Sequence, residues 1–245
     1  MLDRASEICH MIVDRIQQDF LRLERDFNAT DGTRCCWIDN LLPQEILTAA
    51  LSELPPLREM IRRKSLQERK YVSAQFDRLG AAGSLAVGFG RQEIADVVAM
   101  LLGKHRLDTD PKFYNGGLTI MVPGDFMCPH LDNSHNYERQ QRRAVVLLYY
   151  MAPFWCANYG GSLELWDDDR SEPPRTVEYK PNRLVIMETT EHSWHAVQPV
   201  LDDWMMQQDI INVHPLTNTA TVTLKPAGLA KFMSILGYKP QLTAL

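Results

Sequence analysis

The sequence predicts a mainly β protein with an α-helical N-terminal part: a jelly-roll or cupin-like double sheet flanked by helices. Three observations point there. An apolar stripe at helical spacing fills the first 27 residues, the pattern beyond Pro111 changes to short runs rich in β-branched and aromatic residues, and Pro/Gly turn signals separate those runs. With 245 residues, 45% hydrophobic and 23% charged, the chain has ordinary globular composition and can bury a core. No Pro/Ser/Gly-rich tether divides it, so one domain is expected: residues 1–110 as helical support, 111–225 as the β core and 226–245 as a C-terminal extension.

Ile8, Ile12, Ile16, Phe20, Leu23 and Phe27 recur at steps of three and four, which makes one face of an amphipathic helix. Asp39 or Asn40 as cap and Pro43 in the first turn announce a second helix, carried by Ile46, Leu47, Ala50 and Leu54 and ended by Pro55 and Pro56. Leu57 to Lys70 reads as a third, highly charged helix. The glycine- and alanine-rich stretch Leu79–Gly90 reads as a loop, and Gln92–Leu102 as a helix stopped by Gly103. Strands are then expected at Leu118–Val122, Ala144–Met151, Ser162–Trp166, Thr176–Lys180, Leu184–Glu188, His195–Val200, Asp209–Val213 and Thr219–Leu224. Pro123-Gly124, Gly160-Gly161, Pro173-Pro174 and Pro181-Asn182 mark turns between them.

Composition excludes several classes. A net charge of −5 argues against general nucleic-acid binding, and no apolar run approaches the roughly 18 residues of a membrane span. Asp3, Arg4 and Glu7 replace the basic tip and apolar block of a secretory signal. The five cysteines are scattered without zinc-site spacing, and Cys35 and Cys36 are adjacent, so a reducing, cytoplasmic setting is expected.

Chemistry gathers in the β half. His130 and Asp132 are two apart, so on extended backbone an imidazole and a carboxylate point to one face. A third ligand must come from elsewhere, and His195, at the start of a later strand, is placed to supply it; His192 is its competitor. The resulting set of two histidines and one carboxylate suits non-haem Fe(II) with open positions, although ligand type alone also allows zinc. Milder readings stand beside this one. Asp167-Asp168-Asp169 reads as a solvated turn, Arg139, Arg142 and Arg143 as a solvated strand approach or a grip on an acidic substrate, and Trp155, Trp166 and Trp194 as rim packing.

Pro129 to Ser134, Arg143 to Tyr150, Gly160 to Trp166, Asn182 to Val185 and Ser193 to His195 together resemble the Fe(II)/2-oxoglutarate-dependent oxygenases, in their prolyl-hydroxylase-like branch. The resemblance spans about Phe113 to Pro215. It implies a double-stranded β-helix, Fe(II) held by His130, Asp132 and His195, binding of O2, conversion of 2-oxoglutarate to succinate, and hydroxylation of an unactivated C–H bond. It also implies that Tyr149 helps bind the far carboxylate of 2-oxoglutarate.

One departure stands out. The family places an arginine or lysine on the strand after the distal histidine, yet no cation occurs between His195 and Lys225, and the expected positions read Gln207, Gln208 and Asp209. A charge-assisted hydrogen bond is worth roughly 1.5–3 kcal/mol, so its loss weakens cosubstrate binding roughly 10- to 100-fold. Gln208, with Tyr149 and Arg143, is the candidate replacement. Arg143 and Tyr149 share a face by parity but lie roughly 20 Å apart along a straight strand. Three explanations stay open: a cation from another strand, an iron oxygenase with a different electron source, and an inactive site. Met127, Arg142 and Trp194 are candidate pocket-wall residues for a small-molecule substrate. No spacing specifies that substrate or an oligomeric state, and a non-catalytic ligand-binding barrel is the reading from another class.

Overall fold

The computed structural model of the chain describes residues 2–29, 32–73, 80–110, 116–135, 138–139, 141–152, 155–201 and 217–226. Gln208, the strand expected at Asp209–Val213 and the extension beyond Pro226 lie outside the described residues.

The first apolar stripe folds as two consecutive helices, α1 (Leu2–Gln18) and α2 (Phe20–Asn28). At the junction the Asp19 carboxylate takes ion pairs from Arg15 and Arg22. Ile8, Ile12, Ile16, Leu23 and Phe27 are all buried, as their spacing requires. Strand β1 (Cys35–Ile38) and helix α3 (Gln44–Ser52) follow, with Pro43 as the N-cap residue.

The expected helix over Leu57–Lys70 is not formed. A single 3-10 turn at Leu57–Glu59 leads into a hairpin of β2 (Ile61–Lys64) and β3 (Glu68–Ser73). Its Arg, Lys and Glu residues favour helix locally, but Ile61 and Leu66 are exposed and build no apolar stripe, while β3 finds backbone partners in the sheet. The expected loop at Leu79–Gly90 is instead helix α4 (Gly80–Phe89), buried along nearly its whole length. Its small residues serve close packing: a Cβ at Gly88 would lie 3.0 Å from Ile8 Cγ2, so α1 crosses there almost on the backbone. The Glu53 carboxylate accepts the Ala81 and Ala82 N–H groups at the start of α4, where the helix dipole favours an anion. Helix α5 (Gln92–Leu101) matches expectation.

The sheet is built from β4 (Leu107–Thr109), β5 (Gly117–Met121), β6 (Phe126–His130), β7 (Val145–Tyr150), β8 (Leu163–Leu165), β9 (Arg175–Val177), β10 (Arg183–Glu188), β11 (His195–Val197) and β12 (Thr217–Pro226), joined by β1, β2 and β3. Strand order is β1-β10-β7-β12-β5-β3-β6-β11-β8-β9, with β2 on β3 and β4 on β12. The first 110 residues are therefore not purely helical support, since four strands of the sheet come from them.

The sheet folds back on itself into two layers. Val146 and Tyr150 of β7 and Val185 and Met187 of β10 share one apolar cluster with Leu163, Leu165 and Val177, which belong to the other end of the strand order. The opposite face of β7 and β10 packs on the helices through Val145, Leu147, Tyr149, Leu184 and Ile186. The expected double-stranded β-helix, jelly-roll or cupin-like and flanked by helices, is thus the fold observed. Strand β3 runs antiparallel first to β6 and then to β5, so it follows the chain from 127 back to 118 across the Pro123-Gly124 corner and ties the two layers at one seam.

Candidate metal centre

Backbone register brings the three expected ligands together. His195 pairs with His130 across β11 and β6, and with Leu165 across β11 and β8. Directly paired residues project to one face, and Leu165 belongs to the cluster between the layers, so both imidazoles face inward. Their ring centroids are 4.3 Å apart. Asp132 joins them just past the end of β6, and one potential ligand atom from each residue lies within 4.8 Å of the others. The turn that presents Asp132 is held by the Arg143 N–H donating to Ser134 O at 2.8 Å and by the His135–Arg142 bridge.

The tautomers are set by the backbone. His130 Nδ1 lies 2.9 Å from Cys128 O and His195 Nδ1 lies 2.9 Å from Ser193 O. A carbonyl oxygen can only accept, so each Nδ1 donates, and in the neutral ring this leaves the lone pair on Nε2, the form that binds a metal. Burial, helped by neighbouring His195, pushes the His130 pKa below its usual value, which keeps that ring neutral. Burial raises the Asp132 carboxyl, but His195, Arg143 and His130 outweigh it and hold the group below the ordinary carboxylate range. Two imidazoles with Nδ1 engaged by backbone and one ionised carboxylate on one side of a space match Fe(II) bound with open positions.

Arg143 lies with this cluster. Its Nη1 is 3.2 Å from Asp132 Oδ2 and its side chain is 4% exposed, so it braces a ligand carboxylate. The structure does not bring Tyr149 to the centre: its ring packs on Phe89 of α4 at 5.3 Å, and its hydroxyl donates to Asn182 Oδ1 at 2.7 Å. The tyrosine of β7 that faces between the layers is Tyr150, stacked on Tyr179 at 4.3 Å. Strand parity separates these neighbours, and nothing in the sequence says which of two adjacent tyrosines looks inward.

Among the pocket-wall candidates, Met127 faces inward opposite Val197 and its sulfur accepts from Lys70 Nζ at 3.4 Å. Arg142 is exposed beside the Asp132 turn. The half-buried Trp194 ring carries the Arg170 guanidinium at 4.6 Å. His192, the competing ligand, is 66% exposed and paired with Asp168 at 2.5 Å, away from the cluster. The expected anchor position at Gln207 to Asp209 lies outside the described residues. In β12, the first cation after His195 is Lys225, which stands opposite Asp108 in the register with β4. Lys70 and Glu68 were missed as site neighbours because they were read as helix.

Residues 116–207 match the family described as the 2OG-Fe(II) oxygenase superfamily. That segment is 92 of the 245 residues and carries His130, Asp132 and His195. The match and the cluster of these three residues support a non-haem Fe(II) dioxygenase, and the cofactors of the matched family are Fe(II), 2-oxoglutarate and O2. Similar solved structures share the fold. A prolyl-4-hydroxylase from Pseudomonas putida is 16% identical with a TM-score of 0.58, covering 85% of this chain and all of its own. A prolyl 4-hydroxylase from Phytophthora capsici is 17% identical at TM-score 0.58, covering 94% of this chain and 73% of its own. HygX from Streptomyces hygroscopicus, solved with nickel and 2-oxoglutarate, is 11% identical at 0.53, covering 83% and 87%. No curated protein matches this chain. The described residues fit the ion on their own chemistry: two imidazoles with Nδ1 engaged by backbone, an ionised carboxylate and a cation bracing that carboxylate.

Proposed function

We propose that this oxygenase hydroxylates, or otherwise oxidises, an unactivated C–H bond of a small molecule at an Fe(II) held by His130, Asp132 and His195. The single observation that carries the reading is the convergence of those three side chains, with both imidazole tautomers set by backbone carbonyls. Bound Fe(II) supplies the means of activating O2 with electrons from 2-oxoglutarate. The chain's own part is to fix both imidazoles through their Nδ1 atoms so that Nε2 faces the centre, to hold Asp132 through Arg143, and to place the apolar side chain of Leu165 beside it. The similarity to HygX, which was solved with nickel and 2-oxoglutarate, supports the same cosubstrate here.

The test is succinate formation from 2-oxoglutarate by the Fe(II)-loaded protein, run against a panel of small organic acids, amines and amino acids, with free and peptidyl proline as comparators. Substrate-dependent succinate with one of the small molecules, abolished in Asp132→Ala, is the expected result. Stimulation confined to peptidyl proline would overturn the small-molecule assignment. Absence of metal binding by the wild-type protein would support the non-catalytic barrel.

A further inference from the structure

No Arg or Lys occurs in the sequence between His195 and Lys225, yet a carboxylate taken into a closed barrel needs a cation beside it. Among the described residues, other cations near the sheet are committed elsewhere. Arg143 holds Asp132, Arg62 is gripped by both oxygens of Asp125, and Arg183 is bound to Asp39. Lys70 is placed differently. Met127 pairs with Val197, and Val197 shares a face of β11 with His195, so Met127 and His130 face the same space. Glu68 pairs with Met127, and Lys70, two residues on along β3, shares the face of Glu68.

The side-chain contacts agree with this register. Lys70 Nζ meets the Met127 sulfur at 3.4 Å and the Glu68 carboxylate at 2.7 Å, and the side chain is only 13% exposed. We infer that Lys70, on the seam strand β3, is the cation that receives the far carboxylate of 2-oxoglutarate, taking the place of the anchor missing from the strand after His195. This rests on the 2-oxoglutarate-dependent reading above. Glu68 is then its competitor: it neutralises Lys70 while no cosubstrate is bound. Arg63, 3.7 Å from the same Glu68, keeps that carboxylate paired when Lys70 turns to the cosubstrate.

The test uses the whole chain loaded with one Fe(II) under anaerobic conditions and follows the weak visible charge-transfer band on titration with two acids, 2-oxoglutarate and 2-oxopentanoate. The second lacks the far carboxylate. Wild type should bind 2-oxoglutarate the more tightly. Lys70→Met should raise the Kd for 2-oxoglutarate at least tenfold and leave that for 2-oxopentanoate unchanged, so that the two acids converge. Lys70→Arg should restore much of the discrimination, and Glu68→Gln should tighten 2-oxoglutarate, a gain that a merely structural role would not produce. Undiminished discrimination in Lys70→Met, or equal weakening of both acids, overturns the role of Lys70 and leaves the cosubstrate assignment standing. A wild-type protein that loads iron but shows no band with either acid defeats the 2-oxoglutarate reading itself and this inference with it.

Discussion

Arg143 Nη1 stands 3.2 Å from Asp132 Oδ2, joining the first residues before β7 to the ligand that follows β6. The guanidinium engages one carboxylate oxygen, and the other would be the one to hold a metal ion. Partners of this kind typically contribute 10- to 100-fold in metal affinity by orienting the ligand. Arg143→Ala should therefore weaken Mn(II) binding by about tenfold, as read by an electron paramagnetic resonance titration, with Arg143→Lys intermediate because it keeps the charge and loses the fork. Unchanged affinity in both variants would show that the pair does not orient Asp132.

Metal uptake should depend on pH with a definite sign. Both imidazoles must be neutral to bind, and burial holds the His130 pKa below its ordinary 6.5. In metal-free protein the unfolded chain therefore binds a proton at higher pH than the folded chain does. The stability this contributes is fully present above 6.5 and is lost as pH falls through the lowered folded value. Mn(II) affinity should likewise be flat above neutrality and fall in acid. Affinity that kept rising well above pH 7 would contradict the assignment of His130 as a ring already neutral there.

The Tyr149–Asn182 contact is structural. Asn182 sits at positive φ, accepts from the Leu42 N–H at 3.0 Å and the Tyr149 hydroxyl at 2.7 Å, and donates to Leu42 O at 2.7 Å. Tyr149→Phe should lower stability by about 1 kcal/mol, measured by urea unfolding, and leave 2-oxoglutarate affinity unchanged. A selective loss of that affinity would return Tyr149 to the cosubstrate site. Asn182→Ala removes three buried hydrogen bonds and should cost about 3 kcal/mol or more.

Asp125 is 1% exposed and takes both Arg62 nitrogens at 2.5 and 2.6 Å, fastening the β2–β3 hairpin to the Pro123-Gly124 corner. Arg62→Ala leaves that carboxylate without its cation. Because the Arg62 side chain is 31% exposed, the expected destabilisation is about 2–3 kcal/mol, below the value for a fully buried pair. Affinity for 2-oxoglutarate should weaken at the same time, since β3 carries Lys70. Retained stability would show that the hairpin is held by its backbone pairing alone.

Gly160 shows how a local signal can be right about position while its reason lies elsewhere. The double glycine marks the start of β8, but the need for glycine comes from Pro199, whose carbonyl lies where a Cβ at Gly160 would project, and from a positive φ of 69°. That neighbour comes from the segment after β11, which no inspection of residues 155–166 could reveal.

His-x-Asp spacing, the later His195, the apolar runs of β7 and β10, the alternation of β8, and the stripe of α1 and α2 were legible because each is a local pattern within one element, which survives without knowledge of neighbours. Four things were not legible. These were the strand character of Ile61–Ser73, the helix at Gly80–Phe89, the inward choice of Tyr150 over Tyr149, and the approach of Lys70 to Met127. Each depends on what packs opposite: a vacant edge for β3, the Ile8 face of α1 for α4, the helical layer for one side of β7, and a seam between two layers for Lys70. Ligand identity thus follows from residue order, whereas the charges and walls around the ligands come from segments distant along the chain, because burial and pairing partners are set by three-dimensional contact.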